Sequence, residues 1–250
     1  MSPSNWLTRA AAWPLTRAAA WPLRHRLPSQ CRVCARWPSQ PLCEDCITGF
    51  AQPLPRCPRC AIAQVSAQSH ASCADCIREP TPLTRCVAAV DYAFPWSHCI
   101  AGFKFRGDPG WAATLAGLMR HAPWADDLLA QSDRLLPIPL SEARLRERGF
   151  NQSLLLARAL CHGKTDARLL LRVADARVQH ALARRERLHN LQQAFALEPR
   201  RAAQVQGQHL LLIDDVMTTG ATLHAAARVL LDAGAASVSA LVLARTPAPQ

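Results

Sequence analysis

Residues 210–222 read Leu210-Leu211-Leu212-Ile213-Asp214-Asp215-Val216-Met217-Thr218-Thr219-Gly220-Ala221-Thr222. Four consecutive large aliphatic residues predict a buried strand, Leu210–Ile213. Two acids follow at its carboxyl end, the end at which open α/β sheets receive ligands. A short Thr/Gly loop then opens a helix expected over Thr222–Asp232. Successive backbone N–H groups in such a loop, together with the helix amino terminus, form a cradle for a phosphate. Thr218, Thr219 and Thr222 add hydroxyl donors, and Gly220 permits close backbone approach. Asp214 and Asp215 can accept hydrogen bonds from a sugar diol beside that phosphate, so the segment suits a ribose 5-phosphate. The plainer alternative is a buried strand with a threonine N-cap, but the ordered succession of strand, acid pair, Thr/Gly loop and helix favours a ligand. Neither the Gly-Lys-Ser/Thr of a Walker loop nor the spaced glycines of a dinucleotide fingerprint occurs here.

Downstream, a turn at Gly234 and a strand over Ser237–Leu243 complete a strand–helix–strand unit, which implies a parallel sheet with helices on its faces. Upstream, strands are expected over Arg85–Phe94, Arg134–Ile138 and Leu169–Val173. Helices are expected over Trp96–Phe105, Trp111–His121 and Gln152–Cys161. Residues 81–250 therefore read as one α/β domain.

Residues 31–80 differ in kind. Eight of the eleven cysteines form four CxxC pairs: Cys31/Cys34, Cys43/Cys46, Cys57/Cys60 and Cys73/Cys76. Each pair places two sulfurs on one tight turn, where both reach a tetrahedral ion at about 2.3 Å. Sequential pairing gives one Zn²⁺ to Cys31, Cys34, Cys43 and Cys46 and a second to Cys57, Cys60, Cys73 and Cys76; an interleaved pairing fits the spacing as well. A disulfide framework is disfavoured because no export signal accompanies the cysteines. Closed four-thiolate sites are structural, with no coordination position left for chemistry. Cys86, Cys99 and Cys161 lack such partners and read as buried or incidental thiols.

Half of the 250 residues are hydrophobic, yet no apolar run approaches a membrane span. The formal net charge is +11, which invites a nucleic-acid reading. The charge is uneven, however: Arg9, Arg17, Arg24, Arg26, Arg32 and Arg36 meet no acid before Glu44. Two zinc–tetrathiolate clusters would together add about −4. Residues 1–30 carry a tandem repeat, TRAAAWPL at Thr8–Leu15 and again at Thr16–Leu23, expected as a poorly ordered tail rather than a solenoid. Its short apolar stretches, broken by Arg9, Pro14, Arg17 and Pro22, do not form a secretory signal. A soluble, cytoplasmic protein is expected.

The segment at 210–222 resembles the phosphoribosyl pyrophosphate motif of type I phosphoribosyltransferases. Phe103-Lys104-Phe105-Arg106-Gly107, Leu136-Pro137-Ile138-Pro139-Leu140, Arg144 through Gln152, and Gln179 through Phe195 narrow the resemblance. With the preceding cysteine pairs they look like the ComF/GntX family, tied to natural competence, the uptake of transforming DNA. The resemblance spans about residues 31–246. It implies a type I phosphoribosyltransferase-like fold behind a double zinc ribbon, and phosphoribosyl pyrophosphate with Mg²⁺ as ligand. Asp214 and Asp215 would hold the ribose hydroxyls and serve any catalysis, and Thr218, Thr219, Gly220, Ala221 and Thr222 the 5-phosphate. The loop after the strand ending at Pro137–Pro139 would lie near pyrophosphate, with Arg144, Arg146 and Arg148 as the available cations, only some of them turned inward and Arg148 taken as the ligand contact. Arg184, Arg185 and Arg187 would fall in the active-site loop of this fold or on a solvated basic face; Lys104 and Arg106 would contact ligand or end a surface helix. The acceptor of any phosphoribosyl transfer is not legible. The competing reading is a non-catalytic module that senses a phosphoribosyl ligand while the ribbons, Trp37 and the basic tail grip single-stranded DNA or a partner protein.

Overall fold

The computed structural model describes residues 29–64, 71–105, 107–173 and 194–248. The tandem repeat, Arg106 and Arg184, Arg185 and Arg187 lie outside the described residues. The chain divides into two compact units, Met1–Cys43 and Glu44–Gln250.

In the first unit the segment from Ser29 to Cys43 forms a knuckle. Ala35 donates its N–H to the Cys31 carbonyl at 2.8 Å, Cys31 donates to Arg36 at 3.0 Å, and Ser29 bridges Ser39 antiparallel. The second unit contains the same device: Ala61 donates to Cys57 at 2.8 Å, Cys57 donates to Ile62 at 2.9 Å, and Arg56 bridges Ala63. In both, the alanine after the second cysteine takes a left-handed conformation, with φ of 60° at Ala35 and 57° at Ala61. Two short helices flank this second knuckle in the chain, α1 (Glu44–Phe50) before it and α2 (Ala74–Arg78) after it.

The rest of the second unit is α/β. Strands β1 (Cys86–Asp91), β2 (Arg134–Pro137), β5 (His209–Met217) and β6 (Ser237–Arg245) form one sheet in the order β1-β6-β5-β2, every neighbour parallel. β3 (Leu170–Arg172) and β4 (Phe195–Leu197) pair antiparallel beside it. The helices are α3 (Trp96–Phe105), α4 (Trp111–Arg120), α5 (Ala125–Gln131), α6 (Glu142–Arg148), α7 (Gln152–Cys161) and α8 (Ala221–Asp232). β6 is buried from Val238 to Arg245, as expected of a parallel strand covered on both faces. Leu210 and Leu212 join Leu223, Ala226 and Leu230 of α8 in one core, and alternation sends Leu211 and Ile213 to the other face. α4 and α7 pack on each other and on the sheet. Among the described residues no helix is long and apolar enough to cross a membrane.

Ala61 and Cys86 belong to the α8 core. Cys86 also donates its N–H to the Pro58 carbonyl at 2.8 Å. Arg56 pairs with Asp91 at 2.7 Å and Arg59 donates to the Leu83 carbonyl at 2.7 Å. The second cysteine knuckle is thus built into the edge of the α/β unit at β1, and these arginines anchor it there.

Candidate functional site

β5 does not stop at Ile213. It runs through both acids to Met217, because β6 continues alongside it and pairs Asp214 with Val242 and Met217 with Arg245. A strand rather than a loop therefore holds the diacid. Asp214 Oδ1 accepts from the Ser153 hydroxyl at 2.8 Å and from the Asp215 N–H at 2.9 Å. Asp215 pairs with Lys104 Nζ at 2.9 Å, and both side chains are largely buried. Burial foremost, and then the charge of Asp215, push the Asp214 carboxyl up to about 7, against the hydrogen bond from Ser153.

The Thr/Gly loop follows. Thr218 and Thr219 are exposed, and Thr219 Oγ1 accepts from the Ala221 N–H at 3.3 Å. Gly220 has φ +84°, and a Cβ there would lie 2.5 Å from Met217 Cε and 3.0 Å from His224 Nε2. The His224 N–H donates to the Gly220 carbonyl at 2.9 Å. Its ring Nε2 is buried without a partner among the described residues. Burial, with Arg228 and Arg245 adding to it, holds that imidazole down at about 4, so it is neutral. Arg245, 8% exposed at the end of β6, fixes the loop from behind. Its Nη1 donates to the carbonyls of Met217 (3.1 Å), Thr246 (2.8 Å) and Thr218, and its Nε donates to the carbonyl of Cys60 at 2.9 Å.

The segment after β2 is a helix, not an open loop. Ser141 caps α6, and Gly149 ends it with φ 76°. Helical spacing separates the three arginines: Arg144 and Arg146 are exposed, Arg146 facing Glu142 one turn back, while Arg148 turns inward. Arg148 Nη1 donates to Gln152 Oε1 at 3.2 Å, and its guanidinium lies 5.1 Å over the Phe105 ring. Arg148 Nε and Gln152 Nε2 are buried donors with no acceptor among the described residues, and Gln152 is 1% exposed. Buried donors are rarely left so. Gln152 directly precedes Ser153, which bonds Asp214.

Sequence reasoning marked Asp214, Asp215 and Arg148 but missed Ser153, His224 and Arg245. Ser153 carried a weak signal, being next to Gln152 at a helix start. Arg245 carried none, as its contacts come from residues far away in sequence.

The cysteines gather into the two sequential sets. The sulfurs of Cys31, Cys34, Cys43 and Cys46 lie within 4.8 Å of one another, as do those of Cys57, Cys60, Cys73 and Cys76. Cys34 and Cys43 Sγ are 3.6 Å apart, and Cys60 and Cys73 Sγ 3.7 Å. Those separations are far beyond a disulfide bond. They match the roughly 3.8 Å edge of a tetrahedron of sulfurs around an ion at about 2.3 Å. Backbone N–H groups aim at the sulfurs, Cys43 to Cys31 Sγ at 3.4 Å and Cys73 to Cys57 Sγ at 3.3 Å. Burial opposes ionisation of Cys31 and Cys57, but these N–H groups outweigh it and lower the thiols to about 6 and about 7. The donor sets fit a thiophilic tetrahedral metal ion. Cys86 and Cys99 are buried elsewhere, and burial pushes the Cys86 thiol up to about 12, the opposite of a nucleophile.

Comparison with known proteins agrees with this layout. A family model described as a phosphoribosyl transferase domain matches residues 162–250. The DNA utilization protein YhgH of Escherichia coli is 36% identical over 212 residues, covering 82% of this chain and 90% of its own. Competence protein ComFC of Bacillus subtilis is 34% identical over 225 residues, covering 84% and 86%. Competence protein F of Haemophilus influenzae is 28% identical over 211 residues, covering 82% and 90%. With two four-cysteine clusters ahead of a parallel sheet of phosphoribosyltransferase type, the chain belongs to the ComF/GntX family.

Proposed function

We propose that this protein binds phosphoribosyl pyrophosphate with Mg²⁺ in the cytoplasm and acts in the handling of incoming DNA, the field for which its relatives are named. The observation that carries the ligand is a pair of buried donors without acceptors among the described residues, Arg148 Nε and Gln152 Nε2, the latter directly before Ser153, which bonds Asp214 of the acid pair. Asp214 and Asp215 accept from the ribose hydroxyls. Thr218, Thr219, Gly220, Ala221 and Thr222 receive the 5-phosphate, and Arg148 with Gln152 faces the pyrophosphate. Mg²⁺, when bound with the ligand, neutralises pyrophosphate charge. Zn²⁺ is the metal of both cysteine clusters, where it supplies folding energy and no chemistry.

If transfer occurs, the bond from ribose C1 to pyrophosphate oxygen breaks as C1 bonds to an acceptor. Negative charge then grows on the leaving group beside Arg148. A second reading, a non-catalytic module that senses the ligand while gripping single-stranded DNA or a protein partner, draws on Trp37, which is 64% exposed among arginines.

Calorimetric titration of the zinc-loaded chain with phosphoribosyl pyrophosphate and Mg²⁺ tests the ligand. Micromolar binding is expected, weakened by more than about 50-fold in Asp214→Asn/Asp215→Asn. A folded wild type that does not bind overturns the assignment. Elemental analysis should find zinc at two ions per chain, one for each cluster.

A further inference from the structure

A cleft of about 600 Å³ opens at the other end of the sheet. Asp133 and Arg134, at the amino end of β2, form part of its wall. The strands are parallel, so this cleft and the diacid are at opposite ends. His209, whose N–H donates to Asp133 Oδ2 at 2.7 Å, stands six residues before Asp215 on β5. That is about 20 Å of strand.

Five cations and two carboxylates line the cleft. The carboxylates are already engaged. Asp166 takes a two-pronged contact from Arg201, at 2.8 and 2.7 Å, and a third bond from Arg134 at 2.9 Å. Burial opposes ionisation of Asp166, but Arg201, the Arg168 backbone N–H at 3.0 Å and Arg134 outweigh it and hold the carboxyl below the usual carboxylate range, so it stays ionised. Lys164 is fixed as well. Its Nζ donates to the carbonyls of Leu129, Ala130 and Ser132 at 2.9, 3.0 and 2.7 Å, capping the carboxyl end of α5.

Two guanidiniums are left over. Arg158 and Arg168 are exposed at the cleft and meet no carboxylate among the described residues. A cleft of nucleotide size that keeps two guanidiniums with no carboxylate among the described residues, beside carboxylates already engaged, has an excess of positive charge, and guanidinium forks match phosphate oxygens.

We propose that this cleft is a second anion site, separate from the diacid, and that it takes a phosphorylated ligand through Arg158 and Arg168. A free polyphosphate or nucleotide and the backbone of a single strand share the chemistry it reads. α7 runs between the two ends of the sheet: Ser153 in its first turn bonds Asp214, and Arg158 in its last turn faces the cleft.

The test titrates the full zinc-loaded chain with inorganic tripolyphosphate, and separately with a short oligothymidylate, at low salt. Arg158→Glu/Arg168→Glu changes only exposed side chains and should keep the wild-type melting temperature. Gly220→Ala, which strains the loop at the far end, serves as the control. Tripolyphosphate affinity should fall at least about tenfold in the double variant, whose affinity for phosphoribosyl pyrophosphate should stay that of the wild type, and tripolyphosphate binding at the cleft should persist in Gly220→Ala. A parallel loss with the oligonucleotide makes a strand the source of the phosphate; loss with tripolyphosphate alone makes it a small ligand. The proposal is overturned if the double variant binds both probes as wild type does, or if Gly220→Ala alone removes binding.

Discussion

At the scale of single residues, Asp214 is where chemistry and stability meet. Its ordinary value is 3.8, and in the folded chain it is pushed up to about 7 by burial and by Asp215. Between those two values the folded chain holds a proton that the unfolded chain has released. The contribution of Asp214 to stability therefore falls as pH rises through about 4 to 7, by at most about 1.4 kcal/mol per pH unit. The proposed ligand would have the reverse preference, because a ribose hydroxyl needs the ionised carboxylate as acceptor. Affinity for phosphoribosyl pyrophosphate should rise with pH up to about 7 and then level off, with proton uptake by buffer visible in calorimetry. Ser153→Ala removes a hydrogen bond that favours the carboxylate and should move the midpoint to higher pH; Asp214→Asn should erase it. Gly220 makes a separate prediction. Its φ of +84° is left-handed, so Gly220→Ala should cost about 1–3 kcal/mol in urea unfolding and weaken phosphoribosyl pyrophosphate binding at least tenfold. Met217 Cε can swing aside from the new methyl, but the backbone cannot change its φ without moving the loop.

At the scale of elements, α7 is the device that presents Ser153 to the diacid, and Asn151 sets its start. Asn151 Oδ1 accepts from the Leu154 N–H at 3.2 Å, and its Nδ2 donates to the Ile138 carbonyl at 3.0 Å, tying the helix to the end of β2. Asn151→Ala should lose about 1 kcal/mol for the cap and somewhat more for the tie. Asn151→Asp should keep the cap and lose the tie; denaturant midpoints of the two variants separate the contributions. α7 was also fully legible: its apolar positions repeat at helical spacing, and its bounds, like those of α3, match the expectation residue for residue. The buried βαβ unit was legible for the same reason, as strong periodicity needs no tertiary help. β5 was expected four residues too short at its carboxyl end because acids are poor strand formers in isolation; the long partner β6 overrides that preference. α6 went unseen because none of its residues is buried, so it leaves no apolar stripe to read. The diacid, the Thr/Gly loop and both cysteine sets were visible as local motifs, whereas the Lys104–Asp215 pair joins residues 111 positions apart and had no local trace.

At the scale of the whole second unit, the cysteine knuckle and the phosphate loop are one construction. Arg245 grips the carbonyl of Cys60 on one side and the carbonyls of Met217 and Thr218 on the other. Cys86 Sγ meets Met217 Sδ at 3.5 Å beside it. The backbone of the loop that would cradle phosphate is thus referenced to the turn of the second cysteine cluster through the buried Arg245. Loosening that turn should be felt at the ligand site, even though no cysteine of the cluster touches it. Arg245→Lys retains the charge but cannot reach both sets of carbonyls at once. It should lose about 2 kcal/mol of hydrogen bonding to a charged donor, read as a melting temperature lower by about 5 °C. Metal content should stay at that of the wild type, while affinity for phosphoribosyl pyrophosphate falls about tenfold. Removing the metal with a chelator, or substituting Cys60→Ser, should weaken the same affinity further, because the carbonyl that Arg245 uses as its anchor is then no longer held. If Arg245→Lys melts lower yet binds ligand as tightly as wild type, Arg245 only fastens the knuckle to the sheet, and the loop keeps its shape from Gly220 and α8 alone.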